Sequence, residues 1–170
     1  MLDVGFGSGR ALGDLASRGC RAIGIDPSVD MIQGARRRHA RLLRDGRLEL
    51  HQASAESIPL PDASIDAALA AHNIYFWPNV TAGLAEIARV LHPGSRLVLI
   101  TLDAEQTTPR RIDARIYRLA PEQLLREQLD AAGFVHVDVT RAGLRLYVHA
   151  RTARASAQDG AVQRAQPTAR

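Results

Sequence analysis

Apolar residues in this chain occur in two patterns, short uninterrupted runs and longer segments with helical spacing. The short runs predict five buried strands, at residues 2–4, 21–25, 47–51, 65–71 and 96–102. The longer segments predict helices at residues 10–18, 26–43, 80–91 and 121–132. Two later segments, 134–140 and 144–150, alternate apolar and polar residues and predict an antiparallel hairpin. The pattern therefore predicts an α/β fold: a doubly wound, Rossmann-like, mostly parallel sheet of seven strands that ends in this hairpin.

The apolar pattern also sets the predicted domain limits. The chain has 170 residues, a usual length for one domain. From Arg151 onward nearly every residue is Ala, Arg, Gln, Thr or Ser, so we predict a domain over 1–150 and a disordered Ala/Arg-rich tail over 151–170. Only a short stub, Met1 to Val4, precedes the first glycine. The first strand is therefore expected to be truncated and the domain to be clipped at its N-terminus.

Composition narrows the expected location and partners. The apolar fraction of 46% fits a globular core, and no apolar run reaches the roughly 18 residues of a membrane span. The start of the chain has no signal-peptide pattern, and the single cysteine, Cys20, cannot form an internal disulfide, which favours a reducing cytoplasm. All 22 basic residues are arginine and the net charge is +4. In an alanine-rich chain we interpret this as genomic composition rather than as a signal for nucleic acid.

Polar or glycine-rich segments follow four of the predicted parallel strands. They are Gly5–Gly9, Asp26–Ser28, Ser54–Glu56 and His72–Asn73. Ligands of parallel α/β sheets bind outside the carboxyl ends of the strands, so we expect these segments to surround one crevice. A glycine-rich turn between a strand and a helix suits an anionic group such as a diphosphate or a carboxylate.

The spacing of Gly5, Gly7 and Gly9 distinguishes between such ligands. The dinucleotide fingerprint G-x-G-x-x-G needs a glycine where this chain has Arg10 or Leu12. The chain also has no lysine for a P-loop. The spacing therefore argues against a dinucleotide or a nucleoside triphosphate.

The pattern that does fit is D-x-G-x-G-x-G, from Asp3 to Gly9, with a second acidic residue, Asp26, after the next strand. This resembles the class I S-adenosylmethionine-dependent methyltransferases, specifically the small bacterial group often labelled type 11. Further segments extend the resemblance to about Ala150: GIDPSVDMI, ASAESIPLPDASID, YFWPNV, EIARVLHPGSRLVL and LAPEQLLREQLDAAGF. The resemblance implies that S-adenosylmethionine is the cofactor.

The resemblance also implies which residues bind that cofactor: Asp3, Gly5, Gly7, Gly9, Asp26, Pro27, Met31, Ser54, Ala55 and Glu56. Asp3 and the glycines would surround the methionine part, Asp26 would accept both ribose hydroxyls, and Met31 would pack against adenine. Ser54 stands where the family commonly has Asp, so a neutral hydroxyl replaces a carboxylate near the adenine edge. Three simpler interpretations stay open: the glycines form only a tight turn, Asp26 is a helix N-cap, and Met31 fills the core.

His72, at the end of the fourth strand, is the candidate general base, and a packing role is its alternative. The residues Asn73 to Phe76 are similar to the Asn-Pro-Pro-Tyr motif of amino-group methyltransferases, but both prolines are missing. We interpret this similarity as accidental, which leaves little support for a nucleic-acid acceptor. Tyr75, Phe76 and Trp77 are candidates for an apolar acceptor pocket or for the cap of the next helix.

The arginines and the histidines are two further groups of candidate site residues. Arg111, Arg115 and Arg118 have helical spacing and would face either an anionic acceptor or solvent. The six histidines show no spacing typical of metal ligands, so we predict no metal.

The sequence thus predicts an S-adenosylmethionine-dependent methyltransferase that acts on an unidentified small-molecule acceptor. Two alternatives remain: a truncated, non-catalytic protein that binds S-adenosylmethionine, and a methyltransferase directed at RNA or protein. The sequence indicates no membrane span and carries no signal for an oligomeric state.

Overall fold

A seven-stranded sheet forms the centre of the fold in the structure, a computed structural model that describes residues 1–107, 113 and 115–154. The strands are β1 (Leu2–Val4), β2 (Ala22–Asp26), β3 (Leu48–Gln52), β4 (Ile65–Ala71), β5 (Leu91–Leu102), β6 (Phe134–Ala142) and β7 (Arg145–Thr152). Their order across the sheet is β3-β2-β1-β4-β5-β7-β6. The first five strands pair in parallel, and β7 runs antiparallel to both β5 and β6. The predicted doubly wound sheet with its C-terminal hairpin is confirmed.

Helices cover both faces of this sheet, and the apolar clusters beneath them differ in size. They are α1 (Arg10–Ser17), α2 (Val29–Arg38), α3 (Ala40–Arg44), α4 (Val80–Val90) and α5 (Glu122–Ala131). Under α4 and α5 lies the larger apolar cluster, which includes Leu84, Leu97 and Leu125. A smaller cluster, which includes Leu12 and Ile32, lies under α1 and α2. Burial of these side chains stabilises the sheet, because removal of apolar area from water is the main stabilising term.

The first strand is short and central. Leu2, Asp3 and Val4 are all buried, and they pair with β2 on one side and with β4 on the other. Leu2 and Val4 belong to the larger apolar cluster. Because side chains alternate across a strand, Asp3 faces the opposite side of the sheet. The expected short first strand is confirmed, and its carboxyl end leads directly into the glycine turn.

The predicted helix over 26–43 is wrong in one respect: it is divided into α2 and α3 at His39. His39 has φ −112° and ψ 27°, outside the helical region. Its ring lies against the glycine turn, with Nε2 2.9 Å from the carbonyl oxygen of Gly9. The helical spacing of apolar residues continues through His39, so the sequence pattern does not indicate this break.

Two predicted boundaries also move. The fifth strand begins at Leu91 rather than at residue 96, because Leu91 already pairs with Ile65 before a register shift in β4. The last strand continues to Thr152, whose hydroxyl donates a 2.8 Å hydrogen bond to the carbonyl of His92. The strand thus ends two residues later than predicted, and the predicted tail from residue 155 to 170 lies outside the described residues.

Candidate functional site

The carboxyl edge of the sheet contains a cleft of about 520 Å³. Four strand ends contribute to it, as expected from the sequence. Of the predicted site residues, the cleft is lined by Gly5, Gly7, Asp26, Pro27, Ser54, Ala55, Glu56 and His72. Asp3, Gly9 and Met31 do not line it. The structure thus brings together eight of the eleven predicted residues on one surface.

The glycine turn requires glycine for a steric reason at Gly5. Its φ is +63°, in the left-handed region, and a Cβ there would lie 2.7 Å from Nδ2 of Asn73. Gly7 also has a positive φ, but a Cβ at Gly7 would meet nothing within 4 Å. The space beside Gly7 is therefore open to a ligand, while the space beside Gly5 is filled by the protein. Gly9 begins α1 as its N-cap residue.

Asp26 is a fixed carboxylate at the end of β2, with 6% of its surface exposed. Its Oδ2 accepts a 2.9 Å hydrogen bond from the N–H of Gly7, and its Oδ1 accepts one of 2.9 Å from the N–H of Ser28. A carboxylate oxygen accepts two hydrogen bonds, so each oxygen keeps one acceptor position. The N-cap of α2 is Ser28, whose hydroxyl accepts from the N–H of Met31 at 3.4 Å. Asp26 is therefore not the N-cap, which the sequence had left open.

Asp3 lies buried beside the glycine turn rather than on the cleft surface, with 3% of its surface exposed. Burial raises the pKa of its carboxyl group, and the neighbouring negative charge of Asp26 raises it further, to about 7. Asp3 consequently exchanges its proton near neutral pH, whereas an exposed aspartate is ionised there.

Asn73 joins the ends of β1 and β4, a role that the sequence analysis did not identify. Its side-chain amide donates to the carbonyl oxygens of Val4 and Gly5, with a distance of 3.2 Å to the latter. Its Oδ1 is buried and has no hydrogen-bond partner among the described residues. Asn73 therefore fixes the start of the glycine turn from the neighbouring strand.

His72 is held in a backbone conformation that is rare for a residue with a side chain. Its φ is +57°, and its N–H donates a 2.7 Å hydrogen bond to the carbonyl of Ile100. Such conformations cost energy and are concentrated at functional sites. Partial burial lowers the pKa of the His72 imidazole, and the positive charge of Arg145 lowers it further. At neutral pH the ring is thus mostly uncharged and able to accept a proton.

Aromatic side chains form the part of the cleft next to His72. Phe76 is 44% exposed, whereas Trp77 is 7% exposed; both line the cleft. The ring of Tyr117 lies 5.1 Å from the ring centres of Tyr75 and Phe76. Phe76 faces the cleft, while buried Trp77 packs against α4 at Gly83. The N-cap of α4 is Asn79, so the capping interpretation is wrong.

The predicted arginine stripe is not a helical face in the described residues. Arg115 pairs with Asp113 at 2.7 Å. The guanidinium of Arg118 donates a 3.1 Å hydrogen bond to the carbonyl of Phe76. Arg111 lies outside the described residues. Arg118 therefore supports the aromatic part of the cleft.

The loop after β3, which carries Ser54, Ala55 and Glu56, is held by two residues of α4. Glu86 accepts a 2.9 Å hydrogen bond from the N–H of Ile58, and Arg89 donates 2.9 Å bonds to the carbonyls of Ile58 and Leu60. The hydrogen bond from Arg89 lowers the pKa of Glu86. In the sequence, the i, i+3 spacing of Glu86 and Arg89 indicates only that they are neighbours on a helix. It does not indicate that both bind the loop after β3.

Met31 occupies the first turn of α2 with 39% of its surface exposed, so it does not fill the core.

The described residues contain no group of three or more His, Cys, Asp or Glu side chains that could hold a metal ion. None of the helices within 1–107 and 115–154 is long and apolar enough to cross a membrane.

Comparisons with known proteins identify the family to which this chain belongs. A family model described as a methyltransferase domain matches residues 2–99. The O-methyltransferase cnsE of Penicillium expansum is 33% identical over 82% of this chain, which covers 53% of that protein. The chain spans about half the length of the curated relatives that it matches.

Solved structures share the fold at lower sequence identity. The [4+2]-cyclase SpnF has a TM-score of 0.77 at 19% identity, with 90% of this chain and 75% of that chain covered. The phosphoethanolamine N-methyltransferase 2 of Haemonchus contortus has a TM-score of 0.81 at 18% identity, with 91% of this chain and 48% of that one covered. The chain belongs to the methyltransferase domain family of class I proteins, whose cofactor is S-adenosylmethionine.

Proposed function

We propose that this protein transfers a methyl group from S-adenosylmethionine to a hydroxyl oxygen of a small organic acceptor. The observation that carries the proposal is the position of two groups of residues in one cleft. The glycine turn and Asp26 lie at one side of it, and His72 with Phe76 and Trp77 lies at the other. A single ligand-sized cleft of about 520 Å³ therefore has both a polar and an aromatic side.

The residues present fit this cofactor. Asp26 keeps one acceptor position on each carboxylate oxygen, which suits two adjacent ribose hydroxyls. The open space beside Gly7 allows close approach to the backbone. Pro27, Ser54, Ala55 and Glu56 line the adjoining surface for the adenine, with Met31 beyond them on α2. Asp3 and Gly9 support the turn from outside the cleft.

His72 is proposed to accept the proton of the acceptor hydroxyl. When bound, S-adenosylmethionine supplies a methyl group on a sulfonium sulfur. Bound there, the cofactor would supply this methyl group to the acceptor oxygen, and the imidazole of His72 would take up the hydroxyl proton. The uncharged state of His72 at neutral pH, which follows from its lowered pKa, is the state that this role needs.

The acceptor is proposed to be apolar or aromatic around its hydroxyl group. Phe76, Trp77 and Pro78 present mostly apolar surface to the cleft. The name of the 33% identical relative, an O-methyltransferase, supports transfer to oxygen. Among the described residues that line the cleft there is no arginine, whereas Arg96, Arg151 and Arg154 line clefts at the opposite edge of the sheet. This distribution disfavours an RNA acceptor.

Calorimetric titration with S-adenosylhomocysteine tests the cofactor half of the proposal. We expect micromolar binding that falls about 100-fold or more in Asp26→Ala, because the variant loses both ribose acceptors. Asp30→Ala, an exposed acid four residues further along, serves as the control and is expected to bind normally. Equal binding by all three proteins would contradict the assignment of Asp26.

Methyl transfer from labelled S-adenosylmethionine to a panel of hydroxylated aromatic compounds tests the other half. We expect His72→Ala to lower kcat by about 100-fold and to remove the loss of rate at low pH that protonation of His72 causes. His149→Ala, on the exposed face of β7, is the matched control. Tight cofactor binding without transfer to any compound would instead support a non-catalytic binding protein.

A further inference from the structure

A contact on the far side of the glycine turn has no part in the function proposed above. Nε2 of His39 lies 2.9 Å from the carbonyl oxygen of Gly9. A carbonyl oxygen only accepts hydrogen bonds, so Nε2 must carry a proton in this contact. His39 occupies the break between α2 and α3, and its φ of −112° departs from the helix. The helix is thus interrupted at the residue whose ring reaches the turn.

The neighbouring helix is shaped to admit this ring. Gly13 lies inside α1, where glycine is less favourable than alanine. A Cβ at Gly13 would lie 2.7 Å from Cε1 of His39, closer than two carbon atoms can approach. The neighbouring helix α2 also contains a glycine, Gly34. A Cβ added at Gly34 would meet nothing within 4 Å. A steric reason for glycine therefore exists at Gly13 and not at Gly34.

The same end of α2 contacts two consecutive carbonyl groups of the turn. Arg38 donates to the carbonyl of Ser8, and His39 donates to that of Gly9. The Gly9 oxygen also accepts the N–H of Gly13 at 3.3 Å, so the contact includes the first turn of α1. In a trans peptide the C=O and the following N–H point in opposite directions. The N–H of Arg10, one of the free donors at the start of α1, therefore points away from His39.

We propose that His39 is a positioning residue for the cofactor site. By holding the Gly9 carbonyl at the end of α2, it fixes the glycine turn that lines the cleft at Gly5 and Gly7. Gly13 is small so that the imidazole can reach this position. The inference rests on the proposed cofactor site, whereas the His39–Gly13 contact itself does not.

Titration with S-adenosylhomocysteine across three substitutions separates the hydrogen bond from the bulk of the ring. His39→Ala is expected to raise Kd about fivefold to tenfold, the change expected for one lost hydrogen bond. His39→Gln places an amide N–H near the former Nε2 position, so its Kd is expected to stay within about twofold of the parent value. His39→Asn is too short for this contact and is expected to resemble His39→Ala. A role in packing alone would not give rescue by glutamine and loss with asparagine.

A double-mutant cycle with Gly13→Ala tests the contact independently of cofactor binding. In the parent protein the new methyl group displaces the imidazole, so we expect a lower Tm and a higher Kd. In the His39→Ala background the same change is expected to raise Tm, because only the better helix propensity of alanine remains. Gly34→Ala is the control and is expected to raise Tm in both backgrounds.

Two results would overturn the proposal. One is an unchanged Kd in His39→Ala, and the other is a Gly13→Ala variant that behaves like Gly34→Ala in the parent background. Absence of S-adenosylhomocysteine binding in the parent protein would contradict the proposed cofactor site and with it the positioning role. The Tm comparison would then still show whether His39 and Gly13 are coupled.

Discussion

The two sides of the cleft are held by different kinds of contact. On the turn side, formed by Gly5–Gly9 and Asp26, the contacts are directed hydrogen bonds: the Asn73 amide donates to the Gly5 carbonyl, and the Asp26 carboxylate accepts from the N–H groups of Gly7 and Ser28. On the aromatic side, formed by His72–Pro78, ring packing among Tyr75, Phe76 and Tyr117 dominates. Hydrogen bonds demand particular atoms at particular places, whereas apolar packing demands mainly volume. The turn side should therefore tolerate little substitution, and the aromatic side should tolerate changes of similar size.

The largest expected effect concerns the buried carboxyl group behind the turn side. The pKa of Asp3 is raised from 3.8 to about 7 in the folded protein, so the unfolded state gives up this proton at lower pH. The parent protein should thus lose stability as pH rises from about 4 through 7, by an upper bound of roughly 4 kcal/mol. Asp3→Asn removes this ionisation, so its stability relative to the parent should increase with pH.

Urea unfolding at pH 5 and pH 8 checks this expectation. Asp66→Asn is the control, because its side chain is 93% exposed and its charge is already solvated. A difference between Asp3→Asn and the parent that is the same at both pH values would show that Asp3 titrates normally.

A smaller effect on stability is expected for substitution of two glycines on the turn side, and it should differ between them. Both Gly5→Ala and Gly7→Ala must adopt a positive φ, at a cost of about 1–2 kcal/mol each. Gly5→Ala must also displace Asn73, which adds roughly 1–2 kcal/mol. Gly7→Ala should instead act mainly on cofactor affinity, because its methyl group projects into open space.

Stability and S-adenosylhomocysteine affinity of the two variants distinguish these effects. In an Asn73→Ala background the extra cost of Gly5→Ala should disappear, since the contact that causes it is gone. Persistence of the full cost in that background would mean that the close approach of Asn73 is not its origin.

The smallest effect is expected on the aromatic side. Phe76 is 44% exposed and its ring packs against Tyr75 and Tyr117, so Phe76→Ala should lower the free energy of unfolding by about 1–2 kcal/mol. It should leave cofactor affinity within about twofold and raise KM for the acceptor, with Phe76→Leu closer to the parent. A large loss of cofactor affinity in Phe76→Ala would show that the two sides are not separate in function.

The turn side was also the more predictable side from sequence. Gly5, Gly7 and Asp26 line the cleft because they follow predicted strand ends. Asp3 and Gly9, which the family resemblance also implied, lie outside it. The mostly parallel sheet followed from the alternation of predicted strands and helices, whereas the order of the strands is known only from the structure. The parallel sheet and the residues at strand ends depend on neighbours in sequence, which is why they could be predicted.

The missed residues act through partners that are distant in sequence. Asn73 contacts the carbonyl of Val4, 69 positions away, and Arg89 contacts that of Ile58, 31 positions away. His39 breaks a helix for a contact with Gly9, 30 positions away. No period or spacing marks such partners, so the sequence predicted their elements but not their roles.

The bridge from Asn73 to the end of β1 has a consequence for how the protein folds. The strand that leads into the glycine turn pairs with residues 68–70 as well as with residues 23–25. Contacts this distant in sequence form late, because closing a long loop costs entropy before any pairing repays it. A growing chain that has not yet reached residue 73 lacks this bridge. The cofactor site is thus complete only after β4 has paired with β1, and binding of S-adenosylhomocysteine would report that this pairing has formed.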